Sequence, residues 1–353
     1  MSNTTHNFSR KIRLSTVLYT IAVVVLSIFL LSLIAVYTSF GSVQSTTALK
    51  SVLPYPIVVI GYDPVITSRA LARNMVSVKR FYEVQNFSEI GVRVDFSTPD
   101  GQKRFKIREK EVLNKMIEDR AIEVLAKEKD IRVSHDEASQ SVSRKLSEYN
   151  SEVGVKNELE RLYGWTIADF EEKVVMPSLY QEKLEKSLEE VFRDDTSKAQ
   201  EKILNAQKSI RLGNTFEEVV KQYSDGAGQE NGGDIGWFTS DDILPALRTV
   251  MNSQKVGIPG DVVESPLGFH IVLIEEIKTE NEQNLYHLKQ VFIQKKTFSD
   301  FLSEKMRMMS IFVLSPEYVW DKETARAEFT DESIRDFEKK MYENADNNTA
   351  FFF

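Results

Sequence analysis

Cysteine is absent from all 353 residues of this chain. Its absence excludes a disulfide framework, a catalytic thiol and a zinc site built on thiolates. The sequence also lacks a cluster of metal ligands, a glycine-rich phosphate loop and an obvious nucleophile–base pair. We therefore expect no cofactor and no metal. The missing cysteines do not by themselves indicate a cellular compartment.

A surplus of positive charge is also missing. The formal net charge is −8 at pH 7, and no basic stripe interrupts the acidic background. This balance argues against a nucleic-acid partner. A hydrophobic content of 42% and a charged content of 28% are ordinary for a globular protein. The length allows two modest domains with tails.

Residues 14–40 contain no charged side chain. About 20 residues of helix cross the hydrocarbon core of a bilayer, so we predict a single transmembrane helix over residues 14–40. The cations Arg10, Lys11 and Arg13 precede it and predict a cytoplasmic N-terminus at residues 1–13. The remaining domains would then lie outside the cytoplasm, attached to the cell membrane. A cleaved signal peptide is the alternative, although its apolar core is usually only about 7–15 residues long.

Helical periodicity dominates residues 57–192, after a linker at residues 41–56. Thr67 or Ser68 is a candidate N-cap, and Thr166 can cap the helix that follows a break at Gly164. Over residues 107–128 an apolar stripe faces glutamate and lysine side chains. The stripe consists of Val112, Leu113, Met116, Ile117, Ile122, Leu125 and Ala126. For most of these residues, packing in a helical core is a sufficient explanation.

The most specific pattern lies in residues 231–277. A Gly-Gly-Asp-Ile-Gly-Trp-Phe strand opening at 232–238 is followed by a short Leu-Pro helix, a Lys-Val-Gly turn and a Gly-Phe-His strand at 268–270. This order resembles the second half of a parvulin-type (PpiC, rotamase) peptidyl-prolyl isomerase. In order and spacing, residues 57–192 are similar to the helical chaperone region of SurA/PrsA-type foldases. The grooves of that region, apolar with polar edges, hold unfolded segments.

The resemblance implies an α+β fold. Its parts would be the N-terminal transmembrane helix, a SurA-N-like helical chaperone domain, and a parvulin-like four-stranded antiparallel sheet with surrounding helices at residues 193–296. A C-terminal extension at residues 297–353 would follow, and we expect its end to be disordered because residues 344–349 offer little to bury.

One parvulin element is missing from its expected place. Parvulins begin with a strand that carries a histidine, and residues 188–198 contain no such strand. A candidate comes later, at residues 285–293. Since the first and last parvulin strands are antiparallel neighbours, residues 279–284 can join 270–277 to 285–293 as a hairpin. We interpret the domain as circularly permuted, with the first strand supplied last. An unrelated edge strand is the alternative.

The resemblance assigns candidate site residues position by position. His270 matches the histidine of the last strand, Ser265 the hydroxyl position before it, and Asp225 the Asp/Cys position. Gln290 stands where the first-strand histidine is usual. These four are the candidate catalytic residues, and the candidate substrate-binding residues are Leu247, Ile243, Phe269 and Met251. We expect His287 to be excluded, because strand alternation places it on the opposite sheet face from Gln290.

Each candidate also has a purely structural interpretation. His270 can be a hydrogen-bonded core histidine, and Ser265 and Asp225 can be turn residues. Leu247 replaces the usual proline-clamping phenylalanine, and Ile243 replaces a usual methionine. Because the paired histidine and the aromatic clamp are both altered, we expect weak or narrow isomerase activity.

The sequence therefore predicts a membrane-anchored foldase whose isomerase domain assists the folding of exported proteins. Its partners would be unfolded or nascent exported polypeptides with proline-containing segments, and the membrane through residues 14–40. A non-catalytic holdase with a degenerate parvulin domain is the first alternative, and a structural subunit that presents the domain to another membrane protein is the second. A homodimer is left open.

Overall fold

The computed structural model describes residues 54–61, 65–85, 95–148, 152–226, 228–251, 253–280 and 283–346, together with Ser27. The chain divides into two compact units, and each is described here through these residues. One unit is formed by Met1–Leu184 with Leu302–Phe353, and the other by Glu185–Phe301. We call them the helical unit and the sheet unit. The sheet unit extends a few residues beyond the predicted 193–296 at both ends.

The helices are numbered in chain order. They are α1 Ser68–Val84, α2 Pro99–Glu128, α3 His135–Glu148, α4 Glu152–Tyr163, α5 Ile167–Phe170, α6 Met176–Ser187, α7 Glu189–Arg211, α8 Phe216–Tyr223, α9 Pro245–Met251, α10 Phe298–Met308 and α11 Glu332–Asp346. A π-helical turn at Glu171–Val175 joins α5 to α6.

The strands form three antiparallel sheets. They are β1 Pro56–Ile60, β2 Val65–Thr67, β3 Asp234–Thr239, β4 Val263–Glu264, β5 Gly268–Glu280, β6 Gln283–Gln294, β7 Ile311–Val313, β8 Tyr318–Asp321 and β9 Arg326–Phe329. The sheet orders are β2-β1-β7, β3-β6-β5-β4 and β8-β9.

The predicted transmembrane helix is corrected at this point. Among the described residues, none of the helices combines the length and the apolar character needed to cross a membrane. The long helices α2 and α7 carry charged residues throughout, because they cover cores inside a folded unit. The structure fits an α+β fold of helices and antiparallel sheets, but this fold does not include the predicted transmembrane helix. Apart from Ser27, residues 14–40 lie outside the described residues. The location outside the cytoplasm stays a prediction.

The helical unit begins at the caps that its sequence provides. Thr67 caps α1 by accepting a hydrogen bond from the backbone N–H of Ala70, and Thr166 forms a reciprocal capping box with Asp169 at the start of α5. Helix α1 packs against α2 and α4. The core is built largely on the buried face of α2, which includes Ile107, Leu113, Ile117, Ala121, Ile122 and Leu125.

The C-terminal residues complete this same unit. Strand β7 pairs with β1, so residues more than 250 positions apart share one sheet. The side chain of Asn114 on α2 accepts from the backbone N–H of Ala327 at 2.7 Å and donates to its carbonyl at 3.1 Å. Helix α11 then extends into the acidic, Asn-rich segment that the sequence predicts to be loose. Residues 347–353 lie outside the described residues.

The sheet unit is organised around the β5–β6 hairpin. Its register runs from Gly268 paired with Gln294 to Glu280 paired with Gln283, and β3 and β4 pair with the outer edges of β6 and β5. Residues 285–293 therefore lie beside the Gly-Phe-His strand, which is the place that the resemblance gives to the first parvulin strand. Circular permutation is our interpretation of this order.

The two faces of this sheet carry different clusters. On one face, residues of α7 and α8 pack on Phe269, Ile271, Leu273, Val291 and Ile293. On the other face, Ile243, Leu247 and Met251 pack on Val272, Ile274 and Leu288. Since side chains alternate along β5, the even-numbered residues from 270 to 274 share the second face.

Candidate functional site

His270 occupies the centre of a buried hydrogen-bonded chain. Its Nε2 lies 2.8 Å from Ser265 Oγ, and its Nδ1 lies 3.2 Å from Gln290 Oε1. The pattern is satisfied when Nδ1–H donates to Gln290 and the Ser265 hydroxyl donates to Nε2. Three of the four predicted catalytic residues are thus brought together from β5, β6 and the turn before β5.

Ser265 is held by its own turn as well as by His270. Its hydroxyl oxygen accepts from the backbone N–H groups of Leu267 at 3.1 Å and Gly268 at 3.3 Å. Its backbone N–H donates to the carbonyl of Gly268 at 2.8 Å. The turn interpretation and the site interpretation therefore both apply to this residue. Because the oxygen accepts two N–H groups, it fixes the ring of His270 in place.

Gln290 is positioned by the approach of a glycine from the β3 side of the sheet. Its backbone N–H donates to the carbonyl of Gly233 at 2.9 Å. Gly233 has a φ of +89°, and a Cβ at this position would lie 2.7 Å from the carbonyl oxygen of Gln290. Only glycine fits such a close approach without displacing β6. The Gly-Gly-Asp pattern in the sequence thus serves to seat the strand that carries Gln290.

The environment keeps the His270 ring neutral. Burial lowers the pKa of His270 below its ordinary value, and the hydrogen bond with Gln290 offsets part of this effect. The ring of Phe292 lies 4.8 Å away, centroid to centroid, at an interplanar angle of 33°. At pH 7, His270 is therefore an uncharged hydrogen-bonding group beside an aromatic ring.

Ile243, Leu247 and Met251 lie on the same face of the sheet as His270. All three are buried in the cluster with Val272 and Ile274. Three of the four predicted substrate-binding residues thus share the sheet face of His270.

Phe269 and Asp225 are placed differently from the prediction. Phe269 packs in the cluster under α7 and α8, because it alternates with His270 along β5. The carboxylate of Asp225 pairs with Lys202 and accepts from the backbone N–H of Gln294 at 3.2 Å. The chain at Asp225 runs along the edge of β6, where its backbone N–H donates to the carbonyl of Phe292 at 2.7 Å. Neither side chain joins the His270 group.

His287 stands outside the site, as alternation predicts. Its Nε2 lies 3.1 Å from Asp234, its Nδ1 lies 3.3 Å from Glu275, and its ring stacks on Trp237 at 4.9 Å. The ligand atoms of Asp234, Glu275 and His287 lie within 4.8 Å of one another, a spacing that a metal ion could use. Lys289 Nζ, however, lies 2.6 Å from Glu275. An ammonium at that distance neutralises the carboxylate and opposes a cation, so these residues do not fit a metal. The sequence has no signal for this group, since its members come from three strands.

A second candidate site lies in the helical unit. It is a groove of about 870 Å³ between α1, α2 and the segment 163–180. Its apolar lining includes Ala70, Val78, Val112, Met116, Met176 and Tyr180. The resemblance implies grooves in this region, but the sequence does not identify the residues that line one.

Aromatic rings form one wall of the groove. Phe81 stacks on Tyr163 at 5.4 Å and 5°, and Tyr163 stacks on Trp165 at 4.9 Å and 27°. Trp165 Nε1 donates to Ser77 Oγ at 2.7 Å, which fixes the indole at the end of the stack. Such a wall offers large apolar faces with little side-chain entropy left to lose on binding.

Charged side chains around the groove are mostly paired with one another. Arg108 pairs with Glu111, Lys115 with Asp119, and Arg120 with Glu123. Asp169 accepts from Thr166 and pairs with Lys173, and these contacts lower the pKa of Asp169 to about 2. The groove thus combines an apolar surface with a locally neutralised, polar edge.

Comparison with known proteins finds similarity in the sheet unit and beyond it. The family profile described as Rotamase: PPIC-type PPIASE domain matches residues 184–276. The match includes Ser265 and His270 and stops before β6, which carries Gln290. Residues 184–276 are therefore similar to a PPIC-type rotamase domain.

Two relatives extend the similarity beyond that domain. Chaperone SurA from Hydrogenovibrio crunogenus is 27% identical over 204 residues, which are 57% of this chain and 39% of that protein. Foldase protein PrsA 2 from Bacillus anthracis is 26% identical over 201 residues, which are 50% of this chain and 70% of that protein. This chain is therefore similar to SurA and PrsA proteins over these stretches, and it spans about two fifths of the length of that SurA relative.

A solved structure is also similar in sequence. The peptidylprolyl isomerase PrsA from Bacillus anthracis shares 24% identity, and the match covers 55% of this chain and 85% of that chain with a TM-score of 0.19. A TM-score of that size carries no argument about the fold.

Proposed function

We propose that the protein is a foldase that binds unfolded polypeptides in the groove of the helical unit and accelerates cis–trans isomerisation of X–Pro bonds at His270 in the sheet unit. The observation that carries the proposal is the hydrogen-bonded chain Ser265–His270–Gln290 within a PPIC-type domain. The relatives named chaperone and foldase support the same assignment.

The chemistry asks little of the site. The barrier to rotation, about 18–20 kcal/mol, comes from amide resonance, so an enzyme has only to favour the twisted amide over the planar one. An apolar seat for the prolyl ring and an oriented, uncharged polar group meet this need. Phe292 lies beside His270, and the apolar side chains of Ile243, Leu247 and Met251 pack on the same face of the sheet.

The first experiment is a protease-coupled isomerisation assay on the full chain with short proline peptides. We expect His270→Ala to lower the rate constant about tenfold, because a hydrogen-bonding group worth about 1.4 kcal/mol is lost. His287→Ala is the matched control, a histidine of the same unit on the other sheet face, and it should keep the activity. Equal activity in the wild type and in His270→Ala contradicts the site assignment.

The second candidate function is a holdase without catalysis, and the burial of His270 and Ser265 favours it. His270 is 3% exposed and Ser265 is 4% exposed, and Gln290 and Leu247 depart from the usual parvulin residues. Suppression of aggregation by the full chain, with no acceleration for any proline peptide, would support the holdase. Acceleration that His270→Ala removes would support the enzyme.

A further inference from the structure

The predicted apolar seat on the sheet face of His270 is already filled by the protein itself. Ile243, Leu247 and Met251 are 6%, 8% and 5% exposed, because they pack on strand residues of the same face. A prolyl ring could reach them only by displacing neighbouring side chains from a closely packed cluster. The prolyl ring therefore needs apolar surface that solvent still reaches.

Phe292 provides such a surface next to His270. The two residues are direct partners in the β5–β6 register, so their side chains lie side by side on one face of the sheet. Their rings are 4.8 Å apart, centroid to centroid. Phe292 is partly exposed, and it is not among the described members of either apolar cluster of this unit. Part of an aromatic ring is therefore accessible one strand away from His270.

Two glycines leave room for the Phe292 ring. A Cβ at Gly226 would lie 3.0 Å from Phe292 Cδ1, and a Cβ at Gly268 would lie 2.8 Å from Phe292 Cε2. A side chain at either position would push against the ring. The absence of a side chain at both positions therefore allows the ring to keep its place beside His270.

The segment that follows α8 holds the backbone of Phe292. The N–H of Phe292 donates to Ser224 Oγ at 3.1 Å, and its carbonyl accepts from the backbone N–H of Asp225 at 2.7 Å. Backbone and ring are thus both fixed before a substrate arrives. A ligand that stacks on such a ring loses little binding free energy to the ordering of the protein.

We propose that the ring of Phe292 binds the prolyl ring of the substrate and takes the role of the aromatic clamp, whose usual position carries Leu247. The proposal deepens the proposed isomerase function and rests on it. Aromatic surfaces bind proline-rich segments in other proteins, because proline is apolar and has little conformational freedom to lose. While Phe292 holds the prolyl ring, the preceding carbonyl is the part that turns. Recognition then depends on the ring of proline and not only on its tertiary amide.

The first test compares two peptides in isomerisation assays with the full chain, one with proline and one with N-methylalanine in its place. Both peptides contain a tertiary amide, but only proline has the ring. We expect Phe292→Ala to lower kcat/KM for the proline peptide about tenfold and that for the N-methylalanine peptide less than about twofold. Exchange NMR measures both rates. An equal loss for both peptides would mean that Phe292 only supports the fold, and it overturns the proposal.

Tyr286→Ala is the matched control for this comparison. Tyr286 is an aromatic residue of the same strand and the same sheet face, roughly 20 Å from Phe292 along the strand. Its replacement should keep the preference for proline. Gly226→Ala, which moves the Phe292 ring without removing it, should lower that preference by a smaller factor than Phe292→Ala does. A preference lost equally in Tyr286→Ala would contradict a contact specific to Phe292.

The second test measures the contact without catalysis. Intermolecular NOEs should connect the proline ring protons of a bound peptide to phenyl protons of the full chain, with phenylalanine protonated in a deuterated background. These NOEs should disappear in Phe292→Leu, which keeps an apolar side chain. Loss of peptide binding in this variant, with unchanged thermal unfolding, supports the contact equally. NOEs that persist in Phe292→Leu place the prolyl ring elsewhere and overturn the proposal.

The two tests distinguish a failure of the contact from a failure of the isomerase function. Acceleration by the wild type that is unchanged in Phe292→Ala leaves the isomerase function standing and overturns the contact. NOEs to Phe292 without any acceleration support the contact and contradict the isomerase function. Peptide binding without acceleration and without NOEs to Phe292 contradicts both.

Discussion

The groove of the helical unit and the His270 site of the sheet unit differ in what they offer to a ligand. The groove presents about 870 Å³ of space with an aromatic wall and apolar residues such as Val112 and Met116. His270 and Ser265, by contrast, are 3% and 4% exposed, and their polar atoms are satisfied inside the protein. One region offers surface without reactive groups, and the other offers an oriented polar group with little open surface.

This difference separates affinity from chemistry. Burial of apolar surface contributes roughly 25 cal/mol per Å², so a groove of aromatic and aliphatic side chains can retain an unfolded segment by itself. Isomerisation requires only a preference for the twisted amide, which a small site can provide. We therefore expect changes in either region to leave the function of the other largely intact. The following predictions test that independence, beginning with the largest expected effect.

Lys110→Ala should have the largest effect, confined to the helical unit. It leaves Glu328 and Glu338 without the cation that lies 2.6 and 2.7 Å from them. Burial raises the pKa of Glu338, which marks its site as costly for an unpaired charge. Loss of one partner from such a buried group costs about 3–5 kcal/mol.

Hydrogen exchange measured by mass spectrometry would report this loss unit by unit. Protection should fall in α2 and remain in β5, and isomerisation of short peptides should continue at 25 °C. Lys79→Ala is the control, because the side chains of Lys79 and Glu83 are 56% and 61% exposed in their pair, and such pairs contribute less than about 1 kcal/mol. Loss of protection in β5 as well would show that the two regions are not independent.

Val78→Asp should weaken client binding in the groove about 30-fold, or about 2 kcal/mol. A carboxylate at this position lies on the apolar lining and must lose water when a client binds. Val76→Asp, on the exposed side of α1, should keep the affinity. Fluorescence anisotropy with an unfolded probe measures the difference, and the peptide isomerisation rate should be the same in both variants. A matching loss in Val76→Asp would assign the effect to net charge instead of the groove.

Local sequence patterns predicted much of the fold. Thr67 and Thr166 cap helices because a hydroxyl at that position satisfies a free backbone N–H, which is a property of a few neighbouring residues. The α+β class and the parvulin resemblance also followed from the order of motifs, and the family match agrees with them. The transmembrane helix was the part of the predicted fold class that did not hold.

Distant pairings set the limits of such reasoning. The stripe on α2 was predicted as one apolar face, yet Leu113 and Ile117 are buried in the core whereas Val112 and Met116 line the groove. Helical periodicity marks a face as apolar but does not say what covers it. In the same way, α11 depends on Lys110, a residue on another helix more than 200 positions earlier.

Strand alternation predicts which candidate side chains share a sheet face, but it does not predict their other contacts. His270 and Gln290 meet because hairpin register places Gln290 opposite Val272, beside His270 on one face. Phe269 was assigned to the site although alternation puts it on the other face, and Asp225 was assigned by matching the Asp/Cys position of parvulins. The carboxylate of Asp225 pairs instead with Lys202 on α7, a contact that matching positions along the sequence does not predict.

Gln290→Glu should raise the pKa of His270. The new carboxylate would take the place of an amide oxygen 3.2 Å from Nδ1 and favour the charged ring. In the wild type, burial lowers the pKa of His270, so below about pH 6.5 the unfolded chain binds a proton that the folded chain does not. Stability of the sheet unit therefore falls as pH falls through this range.

The glutamate variant should weaken or reverse that pH dependence. NMR titration of the His270 ring gives the pKa directly, and urea denaturation at pH 5 and pH 8 gives the stability. Gln283→Glu, exposed at the start of the same strand, should leave both unchanged. An unshifted His270 titration in Gln290→Glu would show that the two side chains do not share a hydrogen bond in solution.

Trp165→Phe should have the smallest effect, about 1 kcal/mol on the stability of the helical unit. Phenylalanine keeps an aromatic face toward Tyr163 but loses the hydrogen bond from Nε1 to Ser77, a residue that is 6% exposed. Because Ser77→Ala removes the same bond from the other side, the two changes together should cost less than their sum. Additive costs in urea denaturation would mean that the indole is held by packing alone. In that case, stacking on Tyr163 and Phe81 would be enough to orient the indole in the aromatic wall of the groove.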